Sequence, residues 1–246
     1  MQLIQLIIDG VASGCIYGLV ALGFVLIYKA TETINFAQGD ILMLGAFVAF
    51  SLIGVLGLNY ILGFVLTVMI IAVFGFFLDA VVVRQIIGQP AFATVMLTIG
   101  LGFIFRGFAS IYWGTDIFSF STPFSGKITE VGGLIISYVN ISIIVGTTLL
   151  MGILFAFFSF TKIGVAMRAS SENQLAAYYM GIPVKFIFSL IWSISAGVAA
   201  IAGVLLAPIT LVDTSISLIG LKAFAAAVLG GFGSIPGAIV GGIIIG

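Results

Sequence analysis

The sequence has no histidine, one cysteine, five prolines, and only eight acidic and eight basic residues in a chain of 246. Each scarcity removes a class of function. Without histidine there is no imidazole metal site, no histidine proton relay, and no nucleophile activated by a neighbouring imidazole. The single cysteine, Cys15, has no second thiol in the chain for an internal disulfide. Net charge is zero, and no acidic or basic tail invites nucleic acid. The glycine-rich loop that cradles nucleotide phosphates is missing. The nearest Gly-Lys pair, Gly126-Lys127, is followed by Ile128 and lacks the earlier glycine that such a loop needs. An enzyme reading therefore has no acid–base pair, metal cluster or bound cofactor to rest on. A cleaved leader is also not expected, because the first segment has no basic start and Asp9 is its first charge.

Charge is scarce enough to decide the solvent. Soluble domains carry about 25% charged residues; here the fraction is 7%, against 62% hydrophobic. So few polar groups cannot cover a water-facing exterior, but a bilayer needs no such cover. Charge-free runs cover Gly10–Tyr28, Ile41–Leu78, Gln85–Phe105, Val131–Thr161, Phe186–Val212 and Ala223–Gly246. A helix crosses the hydrocarbon core with about 20 residues, so each run holds at least one crossing. Ile41–Leu78 holds two, broken near Gly57-Leu58-Asn59. Barrel strands would be shorter and would alternate apolar with polar. The expectation is an all-α polytopic bundle of about seven to eight transmembrane helices in a single domain, 1–246. Its spans lie near 6–28, 41–57, 60–82, 91–113, 141–160 and 184–207, with a broken one from about 220 onward. The final Gly241–Gly246 run has no polar exit, so the C-terminal end is expected to be cut short inside a helix.

Basic residues favour cytoplasmic loops. If the segment 161–183 is inside, Lys29, Arg84, Lys162, Arg168 and Lys185 fall on the cytoplasmic side. Lys127 and Lys222 then fall outside or near the outer rim. This places the N-terminus and the loop at 114–140 outside. Segment 161–183 also reads as a short helix between two spans, over about 168–181. Ser170 or Ser171 is the candidate N-cap, and Gly181 with Pro183 the stop.

Several features carry a structural reading and a functional one. Gly10, Gly14 and Gly18 share one helix face and favour close helix packing over lining a path; so does the stripe Ser189, Ser193, Ala196, Ala200, Gly203, Ala207. Arg106 reads as an interface anchor, or as one half of a buried pair with Asp9 or Asp116. The polar run Thr31–Asp40 is either a cytoplasmic turn with helix caps or a re-entrant segment lining a cavity. The break at Gly230–Gly237 reads as non-helical backbone at membrane depth, which is tolerated only against protein or a water-filled cavity. Asn35, Gln38, Gly230, Gly231 and Gly233 are the candidate substrate-path residues. Pocket chemistry for any one substrate is not readable from these.

At 168–191 the chain resembles the cytoplasmic loop of bacterial ABC importer permeases. That loop carries Glu-Ala-Ala, three residues, Gly, nine residues, Ile. Ala176, Ala177, Gly181 and Ile191 fit, while Leu175 replaces the usual Glu and Glu172 lies one turn earlier. Ile34–Asp40, Val228–Ala238 and the opening glycine run are similar, in order, to the permeases for branched-chain amino acids. The resemblance implies an ABC importer permease fold and a bacterial inner-membrane location. It implies a second homologous permease, two cytoplasmic ATPase subunits that hydrolyse the ATP, and an external binding protein that delivers leucine, isoleucine or valine. It makes 168–181 a coupling helix, with Arg168, Glu172, Asn173, Ala176, Ala177 and Gly181 facing an ATPase. Permeases of the same kind for urea or short-chain amides, and a stand-alone channel or secondary transporter, are the alternatives.

Overall fold

Polar residues set where the helices start. The computed structural model describes residues 2–86, 89–120, 122–131 and 134–246. Helix α1 runs Gln2–Thr31, and α2 runs Gln38–Ala49, continuing through wider π-type turns to Val55. Asn59 then accepts the Ile61 N–H at 2.9 Å and opens α3, Tyr60–Val81. Helix α4 is Ala91–Tyr112. Two short antiparallel strands, β1 (Ile128–Val131) and β2 (Leu134–Ser137), follow. Ser137 caps α5, Tyr138–Phe160, and Thr161 caps α6, Lys162–Glu172. Helix α7 is Gln174–Tyr179, α8 is Val184–Thr210 and α9 is Ile219–Gly230. Ser234 accepts the Gly237 N–H at 3.1 Å and opens α10, Ile235–Ile245. Each cap satisfies an N–H that the first turn leaves without a helical partner.

Among the described residues six helices are long and apolar enough to cross a bilayer: α1, α2 with its extension, α3, α4, α5 and α8. The seventh segment, expected to be broken, is two half-length helices, α9 and α10. At 1.5 Å per residue each is about 17 Å long, roughly half the hydrocarbon thickness. They form a hairpin whose backbones touch at Gly230 and Gly237. Glycine also seats α10 on α1. A Cβ on Gly14 would lie 2.7 Å from the Ile243 Cα, and one on Gly18 would lie 3.0 Å from the Ile239 Cα. The opening glycine face is thus a helix-packing surface. On the other side of the bundle, a Cβ on Gly45 would lie 2.7 Å from the Ala200 Cα, in the small-residue stripe of α8.

Burial sorts the helices into layers. In α1 and α8 78% of the most apolar stretch is buried, against 17% in α5. Helices α1, α2 and α8 form the centre, and α3, α4 and α5 turn large apolar side chains outward. Ile111 is 88% exposed and Phe160 82%. In water such a surface would be untenable; in lipid it is the expected exterior. The chain is a multi-pass membrane protein.

Three local expectations change. The expected helix over 168–181 is two helices, because Asn173 is extended (φ −155°, ψ 103°) and its side chain accepts the Ala176 N–H at 2.9 Å. Asn173 is thus the cap, while Ser170 and Ser171 sit inside α6. Segment 114–140 carries the β1–β2 hairpin, where only a polar loop is legible in the sequence; Ser121, Gly132 and Gly133 of that segment lie outside the described residues. Finally, the turn at 231–234 is at one end of the bundle rather than at mid-depth. Phe232 packs at a tilt against Tyr28 with ring centroids 4.8 Å apart, three residues from the end of α1.

Candidate functional site

Two segments fold back into the bundle, and each is entered through a residue with a left-handed backbone. Glu32 (φ 53°) follows α1, and Leu211 (φ 65°) follows α8. Non-glycine residues take this conformation at a cost of about 1–2 kcal/mol, so packing must hold both turns. After Leu211, Val212 pairs with Phe118 through two backbone hydrogen bonds of 2.9 and 2.8 Å. A short 3₁₀ turn, Thr214–Leu218, then leads into α9.

The first segment, Thr33–Ala37, is re-entrant. Asn35 Nδ2 donates to Gln38 Oε1 at 3.2 Å, and the Ala37 N–H donates to Asn35 Oδ1 at 3.1 Å. Gln38 Nε2 donates to the Ser195 carbonyl at 3.2 Å, and Ser195 Oγ donates to the Gly23 carbonyl at 3.0 Å. The Phe36 N–H reaches Thr98 Oγ1 at 3.2 Å, in the middle of α4. Gly23 lies eight residues before Thr31, about 12 Å along α1. The chain therefore turns back that far before α2 begins. Asn35 and Gln38 are fully buried. Both belong to a network that holds the re-entrant segment.

Asp40 follows in the first turn of α2. Its partner is Arg106 rather than leaving that arginine to Asp9 or Asp116: Arg106 Nε donates to Asp40 Oδ1 at 2.6 Å. Asp40 occupies the space left by the missing side chain of Gly102. Asp9 instead accepts from Asn140 Nδ2 at 2.6 Å. Gly39 is pressed against the second re-entrant segment, its Cα a close neighbour of Gly220 and the Ser217 carbonyl. The two folded-back segments therefore meet at the start of α2.

A second ion pair joins α3 to α8. Asp79 Oδ2 accepts from Ser189 Oγ at 2.6 Å and from Arg84 at 3.4 Å; Arg84 also donates to the Lys185 carbonyl at 2.9 Å and contacts Ser189 Oγ. Asp79, Thr94 and Gln174 line a cavity of about 200 Å³ beside α7.

Helix α7 is the most protruding element. Leu175, Tyr178, Tyr179 and Met180 are 67–84% exposed, while Ala177 is buried. Gln174 Nε2 donates to the Ala30 carbonyl at 3.3 Å, tying α7 to the end of α1. Gly181 (φ 82°) closes the helix as a left-handed C-terminal turn. Its N–H bonds the Tyr178 carbonyl, and the Ile182 N–H bonds the Ala177 carbonyl, both at 3.0 Å. Arg168 and Glu172 lie on α6, Asn173 at the α6–α7 corner and Ala176 on α7. Arg168 and Glu172 do not form an ion pair within hydrogen-bond reach. The four large exposed residues of 175–180 escape sequence reasoning directed at the small ones, although two tyrosines and a methionine in a polar loop were the available signal. Gly230, Gly231 and Gly233 lie at the tip of the α9–α10 hairpin, at the α7 end of the bundle.

A family profile described as the permease component of branched-chain amino acid transport systems matches residues 6–246. The chain is similar to the high-affinity branched-chain amino acid transport permease BraD of Pseudomonas aeruginosa, with 32% identity over 257 aligned positions, covering 99% of this chain and 84% of the relative. It is 31% identical to the corresponding permease LivH of Escherichia coli K12, covering 100% of this chain and 84% of that protein. A probable LivH of Methanocaldococcus jannaschii is 31% identical over 93% of this chain and 74% of its own length. No solved structure matches.

Proposed function

We propose, because this chain belongs to the family of permease components of branched-chain amino acid transport systems, that it forms one half of a pore for leucine, isoleucine and valine. The other half is a second, related permease. One of two ATPase subunits docks at α7, and a substrate-binding protein delivers at the opposite face. The observation that carries the docking assignment is the exposed Leu175–Met180 surface on a helix too short to span anything.

The basic residues support the orientation. Lys29 ends α1, Arg84 follows α3, Lys162 and Arg168 lie on α6 and Lys185 opens α8, all at the α7 end. By the positive-inside rule that end is cytoplasmic, which puts the N-terminus and the β1–β2 hairpin outside.

The contacts indicate how ATP binding reaches the bundle. A push on α7 is delivered to the end of α1 through Gln174. From there one turn of chain leads to Glu32 and the buried Asn35–Gln38–Ser195 network. The push shifts the equilibrium only if the two bundle states bind the closed ATPases differently. The complete complex in proteoliposomes should take up labelled leucine only with ATP and loaded binding protein. Uptake by the permeases without ATPases, or no leucine uptake by the complete complex, would count against the reading.

Gly181 supplies a specific prediction. A Cβ there meets nothing within the chain, so only the left-handed backbone penalises a side chain. Gly181→Val should leave the protein in the membrane but unwind the end of α7, at about 1–2 kcal/mol. Uptake should fall about tenfold while ATP hydrolysis persists. Measuring both in the same vesicles checks it, and wild-type uptake would remove Gly181 from the coupling path.

A further inference from the structure

Lys222 is out of place for a lipid-facing helix. It is the fourth residue of α9, and its side chain is exposed. Gly220, just before it, packs on Gly39, and Phe224, just after it, packs edge-on against Phe24 with centroids 5.8 Å apart. The ammonium lies over the Tyr17 ring at 5.6 Å from its centre and 3.4 Å from its hydroxyl. Asp9 and Lys29 bracket α1 by twenty residues, about 30 Å, which is the hydrocarbon thickness. Tyr17 lies eight residues, about 12 Å, inside Asp9. An exposed ammonium at that depth is expensive in lipid, so the face that carries it looks onto water.

That face is concave. Lys222 and Tyr17 border a cavity of about 380 Å³ together with Asp213 and the apolar side chains of Ile16, Leu206 and Ile216. Among the described residues the Asp213 carboxylate accepts only from Ser215 Oγ, at 2.8 Å to each oxygen. Lys222 spends one of its three donors on Tyr17. A cation and an anion, each with bonding capacity to spare, thus stand over an aliphatic floor.

We infer that this cavity is a way-station for the free amino acid on its path across the membrane. Lys222 binds the substrate carboxylate, Asp213 binds its ammonium, and the floor takes the branched side chain. The inference rests on the substrate reading above but names a site that reading does not contain. The two opposite charges suit the carboxylate and ammonium of a zwitterion, and the apolar floor suits an aliphatic side chain.

The test uses the complete complex with its binding protein in proteoliposomes. Lys222→Met and Asp213→Asn should each lower maximal leucine uptake about tenfold. The binding-protein concentration for half-maximal uptake should stay within about twofold, because docking of that protein is untouched. Lys222→Arg should recover most of the loss, since it keeps the charge. Uptake by Lys222→Met within about twofold of wild type, or equal impairment of the Met and Arg variants, overturns the inference. A second arm does not depend on transport. Cys15 is buried, so Leu218→Cys, in the exposed wall of the cavity, adds one accessible thiol to this chain and keeps both charges. A charged, membrane-impermeant thiosulfonate should label it, and L-leucine should slow labelling while isoamylamine, which lacks the carboxylate, should not. Absence of labelling overturns the inference, because the face is then sealed by lipid or protein. If the wild-type complex carries no leucine, the substrate reading fails by itself, and the labelling arm still decides whether the cavity is aqueous.

Discussion

Arg106→Ala should destabilise the permease by about 3 kcal/mol, because it strands Asp40 inside the bundle without a counter-charge. Breaking a buried ion pair from one side costs about 3–5 kcal/mol. The low end applies because the Arg106 side chain is 38% exposed, against 2% for Asp40. The pair matters more than its own energy suggests, since Asp40 sits where the two re-entrant segments meet: Gly39 abuts Ser217 and Gly220, and Asp40 fills the space over Gly102. An unpaired carboxylate there would have to move toward water and take the start of α2 with it. Pairing Arg106→Met with Asp40→Asn removes both charges and should return most of the lost stability, as replacement of a buried pair by neutral groups commonly does. Thermal unfolding of the wild type, Arg106→Met, Asp40→Asn and the double variant in detergent gives the coupling energy. Additive losses would show that Arg106 and Asp40 act separately, which the 2.6 Å contact argues against.

Tyr179→Ala with Met180→Ala should release the ATPases. The two side chains are 81% and 84% exposed in this chain, so their removal costs the bundle little. At a protein interface a few central residues, tyrosine prominent among them, contribute about 2 kcal/mol or more on truncation, a factor of about 30 in affinity. The double variant should reach the membrane at wild-type level and lose its ATPases on purification at moderate salt. Arg168→Ala, by comparison, should change the salt dependence of retention more than its strength, because exposed charges screen readily. ATPases retained at the wild-type ratio by the double variant would move the docking surface elsewhere, with the wide cleft between Arg84, Lys185 and Tyr178 the next place to look.

These predictions draw unequally on sequence and structure. The bilayer and helical spans follow from charge spacing alone: runs that lack charge over twenty residues have no stable place in water, and a lipid-exposed backbone must bond within itself. The caps at Asn59 and Ser137 and the glycine face of α1 are equally local, since a cap needs one side chain and a packing stripe needs only helical spacing. The short polar helix over 168–181 was legible because Gly181 and Pro183 end it, although the break at Asn173 was not, as asparagine serves as well inside a loop as at a cap.

Contacts between distant segments were beyond the sequence. Nothing in the spacing of residues 40 and 106 says that Asp40 meets Arg106, and their encounter depends on the re-entrant path of Thr33–Ala37. The same path buried Asn35 and Gln38, which in sequence alone look available to a substrate. Lys222 shows the reverse: in sequence it is a stray charge near an outer rim, and only the packing of its neighbours against Gly39 and Phe24 places it deep in the bundle. Local chemistry determined which segments enter the membrane and where helices start. Tertiary structure decided which polar groups are spent on holding the fold and which keep bonding capacity to spare, because that division depends on which side chains find partners across the bundle.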